Sequence, residues 1–430
     1  MRWVRLAALL LIGGLLLGLE IWLRGRRDVT GQVVGQMLAF AVFLAAAWLV
    51  WRGLGVGRVG GVLVVLVAIG LRAAAFTPQP PLSTDLYRYA WDARVIDSGT
   101  NPYRYDTLDP ALVDLWDEAI WPRINLPSWG TPYPPGAEAT FYTARRVFGD
   151  GARATTILFL IAEAGVMALL LFVLVRAALP PERLLVYAWH PLAVSEIASN
   201  GHLDVLAALA IAALFAAWTV RRMTLAGVIL AVGTLVKFSP ALLIVALARR
   251  GRLRLVAPAV GIVAAVYAAV SLGGVNPLGS APRLVRTFEI GSVESVLSPH
   301  VGQSWARGLL APIVLITLVV VARRKHESVD EVARSTLLAL GTLLLSVMML
   351  QPWYFVTLLP CLVLVAAPGW LWLSGALPLI YLNGDTGSLP DWVPPVIYVP
   401  FALWIVFRVV TRLGLTSSPY HFEKSPISNA

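Results

Sequence analysis

The sequence has little charge, a single cysteine and only three lysines. Charged residues make up 13% of the 430 residues and hydrophobic residues 58%, and the mean hydropathy is +0.76. This balance excludes an ordinary soluble globular protein of the same length. The lone cysteine, Cys361, excludes an internal disulfide framework and a thiolate metal site. The sequence therefore predicts a polytopic membrane protein.

Apolar runs that could cross a bilayer recur between residues 4 and 410. A spanning segment must satisfy its own backbone hydrogen bonds, so helices are expected. We expect an all-α integral membrane fold, a polytopic helical bundle of about 11 to 14 membrane helices, since each needs about 20 residues. Several runs are shorter than this, which predicts broken or re-entrant helices around an enclosed or water-filled cavity.

Four parts follow from the distribution of polar residues along the chain. They are N-terminal membrane helices at 1–76, an extracytoplasmic loop with short amphipathic helices at 77–148, a membrane helical core at 149–414 and a cytoplasmic tail at 415–430. The net charge of +10 comes from short basic clusters at every second loop. Such spacing is typical of cytoplasmic loops rather than of a nucleic-acid-binding face. The cluster Arg24-Gly25-Arg26-Arg27 would lie on the extracytoplasmic side of the membrane, which conflicts with this rule.

Arginine, alanine, valine, leucine and glycine are abundant, which favours a GC-rich bacterial source. We therefore expect a multi-pass protein of the bacterial cytoplasmic (inner) membrane, with an active site that faces the periplasm. The lipid bilayer is one expected partner, and nucleic acid is not.

The loop is rich in carboxylates, because nine of the 24 acidic residues lie between Asp85 and Glu138. Pro81, followed by Ser83 or Thr84 as N-cap, predicts a helix that ends before Gly99. Asp85 then lies in the first turn, where the helix dipole favours a negative charge.

Asp92 lies two helical turns after Asp85 and shares its face, with Arg88 between them. The alternative is that these are solvated loop acids accompanied by interfacial aromatic residues. A segment of 59 residues between membrane helices, residues 77–135, is long for a connector, however, and long loops with their own helices are usually functional.

Several short motifs follow one another in this loop and after it. The motifs are Ser83-Thr84-Asp85-Leu86-Tyr87-Arg88-Tyr89-Ala90-Trp91-Asp92-Ala93-Arg94, Gly99-Thr100-Asn101-Pro102-Tyr103, Pro122-Arg123-Ile124-Asn125, Tyr133-Pro134-Pro135-Gly136-Ala137, His190-Pro191-Leu192, Gly201-His202-Leu203-Asp204, Leu235-Val236-Lys237-Phe238-Ser239-Pro240 and Gln351-Pro352-Trp353-Tyr354. In order and spacing they resemble bacterial GT-C glycosyltransferases and are similar to the polyprenyl-phosphate-mannose-dependent mannosyltransferases, including glycosyltransferase family 87.

The resemblance implies a GT-C-like bundle and an inverting transfer of a sugar, with mannose favoured, from a polyprenyl-phosphate donor to a glycan or glycolipid acceptor. It also implies that Asp85 is the general base. Asp85 is followed by Leu86, whereas many protein O-mannosyltransferases carry an adjacent Asp-Glu pair, so a protein acceptor is disfavoured.

Ionisable residues within apolar segments are costly and mark candidate sites. His202 and Asp204 are expected to contact the donor phosphate or the acceptor, and Asp204 could hold His202 or Lys237; simple helix capping is the alternative. Lys237, between two short apolar runs, is the leading candidate for phosphate contact, with a snorkelling lysine as the alternative. Glu163 and Glu196 are expected to be structural partners of buried polar groups.

Further substrate-binding candidates lie on the same expected side of the membrane. They are Arg88, Asp92, Arg286 and His300, together with Trp353 and Tyr354, for which an aromatic belt is the favoured role and sugar stacking the alternative.

No cofactor is expected to be required, although Asp85 and Asp92 could recruit Mg²⁺ or Mn²⁺. Two alternative functions stay open: a transporter or flippase of lipid-linked saccharides, which would need paired inverted halves, and a ligase or polymerase that uses pyrophosphate-linked oligosaccharides.

Overall fold

The computed structural model describes residues 2–53, 55–77, 82–248, 252–288, 290–347, 349–386 and 388–412. Within these ranges every regular element is helical, apart from isolated bridges that join Ile290 and Gly291 to Met349. The expected all-α fold is therefore confirmed. Pro81 and the predicted tail at 415–430 lie outside the described residues.

The α-helices form three successive groups along the chain. The first group is α1 Arg2–Leu23, α2 Val29–Trp51, α3 Gly57–Ala75, α4 Asp85–Asp97, α5 Pro135–Phe148 and α6 Ala154–Arg176. The central group is α7 Leu185–Ala188, α8 Pro191–Ala193, α9 Asp204–Thr219, α10 Met223–Val236, α11 Ala241–Ala246 and α12 Leu253–Leu272. The last group is α13 Ala281–Thr287, α14 Val293–Val301, α15 Gln303–Ala322, α16 Val329–Ser346, α17 Leu359–Leu364, α18 Pro368–Ala376 and α19 Val393–Arg412.

Short 3₁₀ and π segments join several of these helices. The 3₁₀ helices are Pro110–Leu115, Trp121–Arg123, Pro181–Leu184, Pro352–Leu358 and Leu377–Thr386, and the π-helix is Val194–Ser199.

Seven of the described helices are long and apolar enough to cross a membrane: α1, α2, α3, α6, α12, α15 and α19. Three shorter apolar helices, of 10–17 residues, accompany them: α9, α10 and the stretch Pro352–Leu364. The protein is thus a multi-pass helical membrane protein. These seven described helices are fewer than the expected 11 to 14 crossings. The difference arises because several of the apolar runs are interrupted and form shorter helices. The run at 184–199, for example, divides into a 3₁₀ turn, two short α-helices and the π-helix.

Helices α12, α15 and α19 bury little of their apolar surface inside the protein. Between 11% and 17% of the residues in their most apolar windows are buried. Large apolar side chains stand exposed along them, such as Val260, Leu315 and Leu403. Because so much apolar surface is unfavourable in water, these helices are suited to contact with lipid.

Helix α9 forms the centre of the bundle and packs against α6 and α10. Its residues are almost all buried. At the C-terminal end of α9, the guanidinium of Arg252 lies 4.8 Å from the ring centroid of Trp218 and donates to the carbonyl oxygen of Lys325 at 2.6 Å. Arg222, which precedes α10, lies at this end too. We call the end of the bundle where α9 ends and α10 and α16 begin the basic end. The opposite end, where α9 begins and α10 and α16 end, is the site end.

A buried ion pair joins α3 to α6 within the bundle. Nη2 of Arg72 lies 2.6 Å from Oε1 of Glu163, and another Arg72 nitrogen donates to the carbonyl oxygen of Ala188. The prediction that Glu163 is the partner of a buried polar group is confirmed.

The polar segment between α3 and α6 folds onto the site end through α4 and α5. Helix α4 begins at Asp85 and ends at Asp97, before Gly99 as predicted. The ring of Tyr89 stacks on Phe141 of α5 at 4.5 Å between centroids. At the end of α4, Asp97 accepts hydrogen bonds from Arg145 and Arg146, each at 3.1 Å. These contacts fix the axis of α4 and hence the direction of its first turn.

Candidate functional site

A cavity of about 440 Å³ lies at the site end, where the polar segment meets α9, α10, α13 and the 3₁₀ helix Pro352–Leu358. Its polar lining includes Asp85, Asn125, Asp204, Lys237 and Gln351, and its aromatic lining Tyr89, Tyr133, Trp353 and Tyr354. Most of the other lining side chains are apolar, including Leu203, Val236, Leu284 and Phe288. The volume is typical of small-ligand sites. We call this space the candidate cavity.

Asp85 is held at the wall of the candidate cavity by the start of α4. Its backbone N–H donates to Oγ of Ser83 at 3.3 Å, whereas Thr84 makes no side-chain cap bond. The side-chain amide of Asn125 donates to Oδ1 of Asp85. The Asp85 side chain keeps 16% of its surface exposed. It is therefore oriented by a fixed donor yet still open to a ligand.

His202 lies beside Asp85 and is itself fully buried. Its Nε2 is 3.0 Å from Oγ of Ser83 and 3.7 Å from Oδ2 of Asp85. Its Nδ1 is 2.8 Å from Oε2 of Glu196. The imidazole ring stacks on Trp353 at 4.0 Å between centroids. Nδ1 therefore faces the Glu196 carboxylate, and Nε2 faces Ser83 and Asp85.

Glu196 contacts both His202 of the site and buried polar groups of the core. The same Oε2 accepts from the hydroxyl of Tyr381 at 2.9 Å and from the amide of Asn200 at 3.1 Å. The expectation that Glu196 is a partner of buried polar groups is confirmed. The same carboxylate lies 2.8 Å from Nδ1 of His202.

Lys237 occupies the break between α10 and α11, as the two short apolar runs predict. Its ammonium pairs with Oδ1 of Asp204 and lies 4.1 Å from the ring centroid of Tyr354. The Lys237 side chain is 19% exposed and that of Asp204 1%. Within the described ranges, Oδ2 of Asp204 has no hydrogen-bond partner. The predicted bond from Asp204 to Lys237 is confirmed.

Arg88 and Asp92 lie on α4 behind the wall of the cavity. Nε of Arg88 is 2.9 Å from Oδ1 of Asp92, and its Nη1 donates to the carbonyl oxygen of Trp129 at 3.0 Å. Both side chains are 3% exposed. Neither side chain lines the candidate cavity. Their contact with substrate stays a prediction.

Glu138 of α5 is a third buried ionisable residue, next to Arg88 and Asp92. Oε1 of Glu138 accepts from the hydroxyl of Thr131 at 2.5 Å. In the described part of the chain, Oε2 of Glu138 and Oδ2 of Asp92 have no hydrogen-bond partner. Burial, together with the neighbouring Asp92, raises the pKa of Glu138 well above its usual value. Burial raises the pKa of Asp92 too, against the opposing effect of Arg88.

Arg286 and His300 are not brought to the candidate cavity. Ala281, Leu284 and Phe288 line it at a spacing of three and four residues, so that Arg286 lies on another face of α13. Arg286 and His300, on α14, are both exposed. Neither side chain forms part of the lining.

Trp353 and Tyr354 lie in the cavity wall rather than only on the outer surface. Trp353 stacks on His202 and Tyr354 lies beneath the ammonium of Lys237. Both rings pack against ionisable residues of the site. The favoured role in an aromatic belt and the alternative of sugar stacking both stay predictions.

Two residues without a predicted functional role, Asn125 and Tyr381, both contact site residues. Asn125 belongs to one of the motifs that resemble GT-C glycosyltransferases, and this was its only signal in the sequence. Tyr381 belongs to an apolar run near the C-terminus, and nothing in its neighbourhood distinguishes it.

The described residues include no group of three or more histidine, cysteine, aspartate or glutamate side chains placed to hold a metal ion. Asp85 and Asp92, the carboxylates considered for Mg²⁺ or Mn²⁺, have different partners: Asn125 for Asp85 and Arg88 for Asp92.

Comparisons with protein-family models, with curated proteins and with solved structures found no match to this chain. The resemblance to GT-C glycosyltransferases therefore rests on the sequence motifs and stays a prediction.

Proposed function

We propose that this protein is an integral-membrane glycosyltransferase of the GT-C type. It transfers a sugar, with mannose favoured by the motif resemblance, from a polyprenyl-phosphate donor to a glycan or glycolipid acceptor. In this proposal the site end faces the periplasm of a bacterial inner membrane.

The observation that carries the proposal is that Asp85 and Lys237 line one cavity whose other walls are aromatic and apolar. A carboxylate, an ammonium and flat rings are the groups that a hydroxyl acceptor, a phosphate and a sugar require.

In the proposed reaction Asp85 takes the proton of the acceptor hydroxyl as its oxygen attacks the anomeric carbon. The bond between the anomeric carbon and the phosphate oxygen breaks, and the polyprenyl phosphate leaves with the electron pair. The attack from the opposite face inverts the configuration. Asn125 holds the Asp85 carboxylate in position.

Lys237 is suited to stabilise the leaving phosphate. Its ammonium already has one carboxylate partner, Asp204, and 19% of its side chain is exposed toward ligands. Positive charge held where negative charge develops is an effective contribution to catalysis. The unpaired Oδ2 of Asp204 is suited to accept a hydrogen bond from a sugar or acceptor hydroxyl.

The test is transfer of labelled mannose from polyprenyl-phosphate mannose by the purified protein, for native protein and for Asp85→Asn. We expect the variant to lose about 10²- to 10⁴-fold in transfer rate, the usual contribution of a positioned base. Asp114→Asn, an exposed carboxylate in the same polar segment, is the matched control and should keep native activity. Normal transfer by Asp85→Asn would exclude the role of base.

The same assay separates the alternative functions. Movement of the donor across vesicles without transfer would indicate a flippase. A reaction only with pyrophosphate-linked oligosaccharides would indicate a ligase or polymerase.

A further inference from the structure

A second cavity, of about 320 Å³, lies at the basic end between α16, α18 and α19. Three arginines contribute to its lining: Arg324 from the segment before α16, Arg334 from α16 and Arg408 from α19. None of its lining residues is acidic. The cavity therefore has a positive rim. We call it the basic-end cavity.

The interior of the basic-end cavity is an aromatic and aliphatic surface. Trp370 and Phe401 are each 7% exposed and meet edge to face at 4.9 Å between centroids. Trp404 stacks on Phe401 at 5.9 Å. A side chain at Gly341 of α16 would collide with the ring of Trp370, at 2.2 Å from the nearest atom. Glycine at this position thus lets the indole lie directly against α16, and the surface is preformed.

The charge of the rim is largely uncompensated. Arg334 has a carboxylate at 3.6 Å, Oδ2 of Asp330, but both side chains are about half exposed. Arg324 and Arg408 are exposed. Three planar guanidinium groups on one rim are well suited to a phosphate, which they can bind through paired hydrogen bonds.

The basic-end cavity is separate from the candidate cavity. Arg334 lies in the second turn of α16, whereas Met349, just beyond the other end of α16, lines the candidate cavity. The 18 residues of α16 rise about 27 Å. The two cavities therefore lie near opposite ends of α16 and are separate sites.

We propose that the basic-end cavity binds an anionic phospholipid of the adjacent leaflet. The phosphate of the headgroup contacts Arg324, Arg334 and Arg408, and the first part of an acyl chain lies on the aromatic surface. Basic pockets between membrane helices are known to select anionic headgroups. A soluble phosphate would not use the apolar interior, and a zwitterionic lipid would gain less from the three arginines. This site is independent of the proposed transferase activity.

The test uses the full-length protein in a neutral detergent, titrated with phosphatidylglycerol in mixed micelles. Bound lipid is counted by native mass spectrometry, and the melting temperature is recorded in parallel. We expect saturable binding to native protein, and binding at least about tenfold weaker in the double variant Arg324→Ala/Arg408→Ala, which loses two charge-assisted contacts. Arg324→Lys/Arg408→Lys should recover part of the affinity, because it keeps the charge.

Arg323→Ala is the matched control, since Arg323 is an exposed neighbour that does not line the cavity. It should bind the lipid as native protein does, and the lipid-free melting temperatures of all variants should agree. Equal binding of phosphatidylcholine, or an equal loss in Arg323→Ala, would overturn the proposal. Displacement of the lipid by millimolar inorganic phosphate would also overturn it, because the site would then bind a small anion only.

Discussion

The ion pair between Lys237 and Asp204 joins a partly exposed cation to a buried carboxylate. Lys237→Ala would leave the Asp204 carboxylate, 1% exposed, without its cation, and removal of one member of a buried pair costs about 3–5 kcal/mol. A loss of activity in this variant alone would therefore not show that Lys237 contacts phosphate.

The double variant Lys237→Ala/Asp204→Asn separates the two effects. We expect it to regain most of the free energy of unfolding that Lys237→Ala loses, because the uncompensated charge is gone. Its transfer rate should stay about 10²-fold or more below native, since a phosphate partner is missing. Lys325→Ala, 74% exposed at the basic end, is the control. Native transfer by the folded double variant would refute the phosphate contact.

Glu138 provides a prediction on pH at the same scale. Its pKa is raised in the folded protein by burial and by Asp92, so the folded state binds a proton more tightly than the unfolded state. The free energy of unfolding must then fall as the pH rises above the unfolded pKa of about 4.5 toward the raised folded value. Because the two carboxyl groups interact, they titrate as a pair.

Glu138→Gln imitates the protonated form and removes one member of this pair. We expect its melting temperature, measured at one scan rate in detergent, to change less between pH 5 and pH 8 than that of native protein, and to exceed it at pH 8. Glu118→Gln changes an exposed side chain and should behave as native protein does. An unchanged pH dependence in Glu138→Gln would show that the raised pKa of Glu138 does not affect stability in this range.

Among the elements, the interrupted segment at 184–199 contributes Glu196 to the site. The backbone N–H of Asn200 donates to the carbonyl oxygen of Ser195, five residues earlier, at 2.9 Å. This π turn widens the helix and brings Glu196 within 2.8 Å of His202. An uninterrupted α-helix would follow a different course. π turns are frequently found at functional sites for this reason.

The close approach of α5 to α10 supports the position of Lys237. A Cβ atom at Gly136 would lie 2.7 Å from the carbonyl oxygen of Leu235, two residues before Lys237. Gly136→Ala should push α5 away from the end of α10, lowering the free energy of unfolding by about 1–3 kcal/mol through overpacking. We expect the KM for the donor to rise as well, because Lys237 moves.

Gly151→Ala is the control for this prediction, since a Cβ there meets nothing within 4 Å. Both variants add one methyl group at a glycine near α5. If they had the same small effect on stability and on KM, the α5–α10 contact would not position the site.

At the scale of the whole molecule, one group of basic residues and the candidate cavity lie at opposite ends. Arg222, Arg252 and Lys325 gather at the basic end, and Asp85 and Lys237 line the candidate cavity at the other. The positive-inside rule then predicts that the basic end faces the cytoplasm.

Single cysteines test this orientation against a clean background, because native Cys361 is 0% exposed. We expect a membrane-impermeant maleimide to label Asp114→Cys on intact cells and Arg323→Cys only after permeabilisation. Native protein should remain unlabelled in both conditions. Labelling of both positions from one side would contradict the two-ended arrangement.

The sequence by itself determined the class of the protein and much of its local structure. Its apolar runs predicted a helical membrane protein. The segment around Ser83 and Thr84 predicted a helix with Asp85 in its first turn, and the short apolar runs beside Lys237 predicted a broken helix. Each of these follows from hydropathy, capping or backbone geometry over a few neighbouring residues.

Only the tertiary structure decided which polar residues meet. It brought Asn125 to Asp85, Glu196 and Trp353 to His202, and directed Asp92 toward Arg88 and Glu138 rather than into the cavity. It also left Arg286 and His300 on the surface. Such contacts join residues that are distant in the chain, and they depend on how whole helices pack and where they are interrupted, which no local pattern encodes.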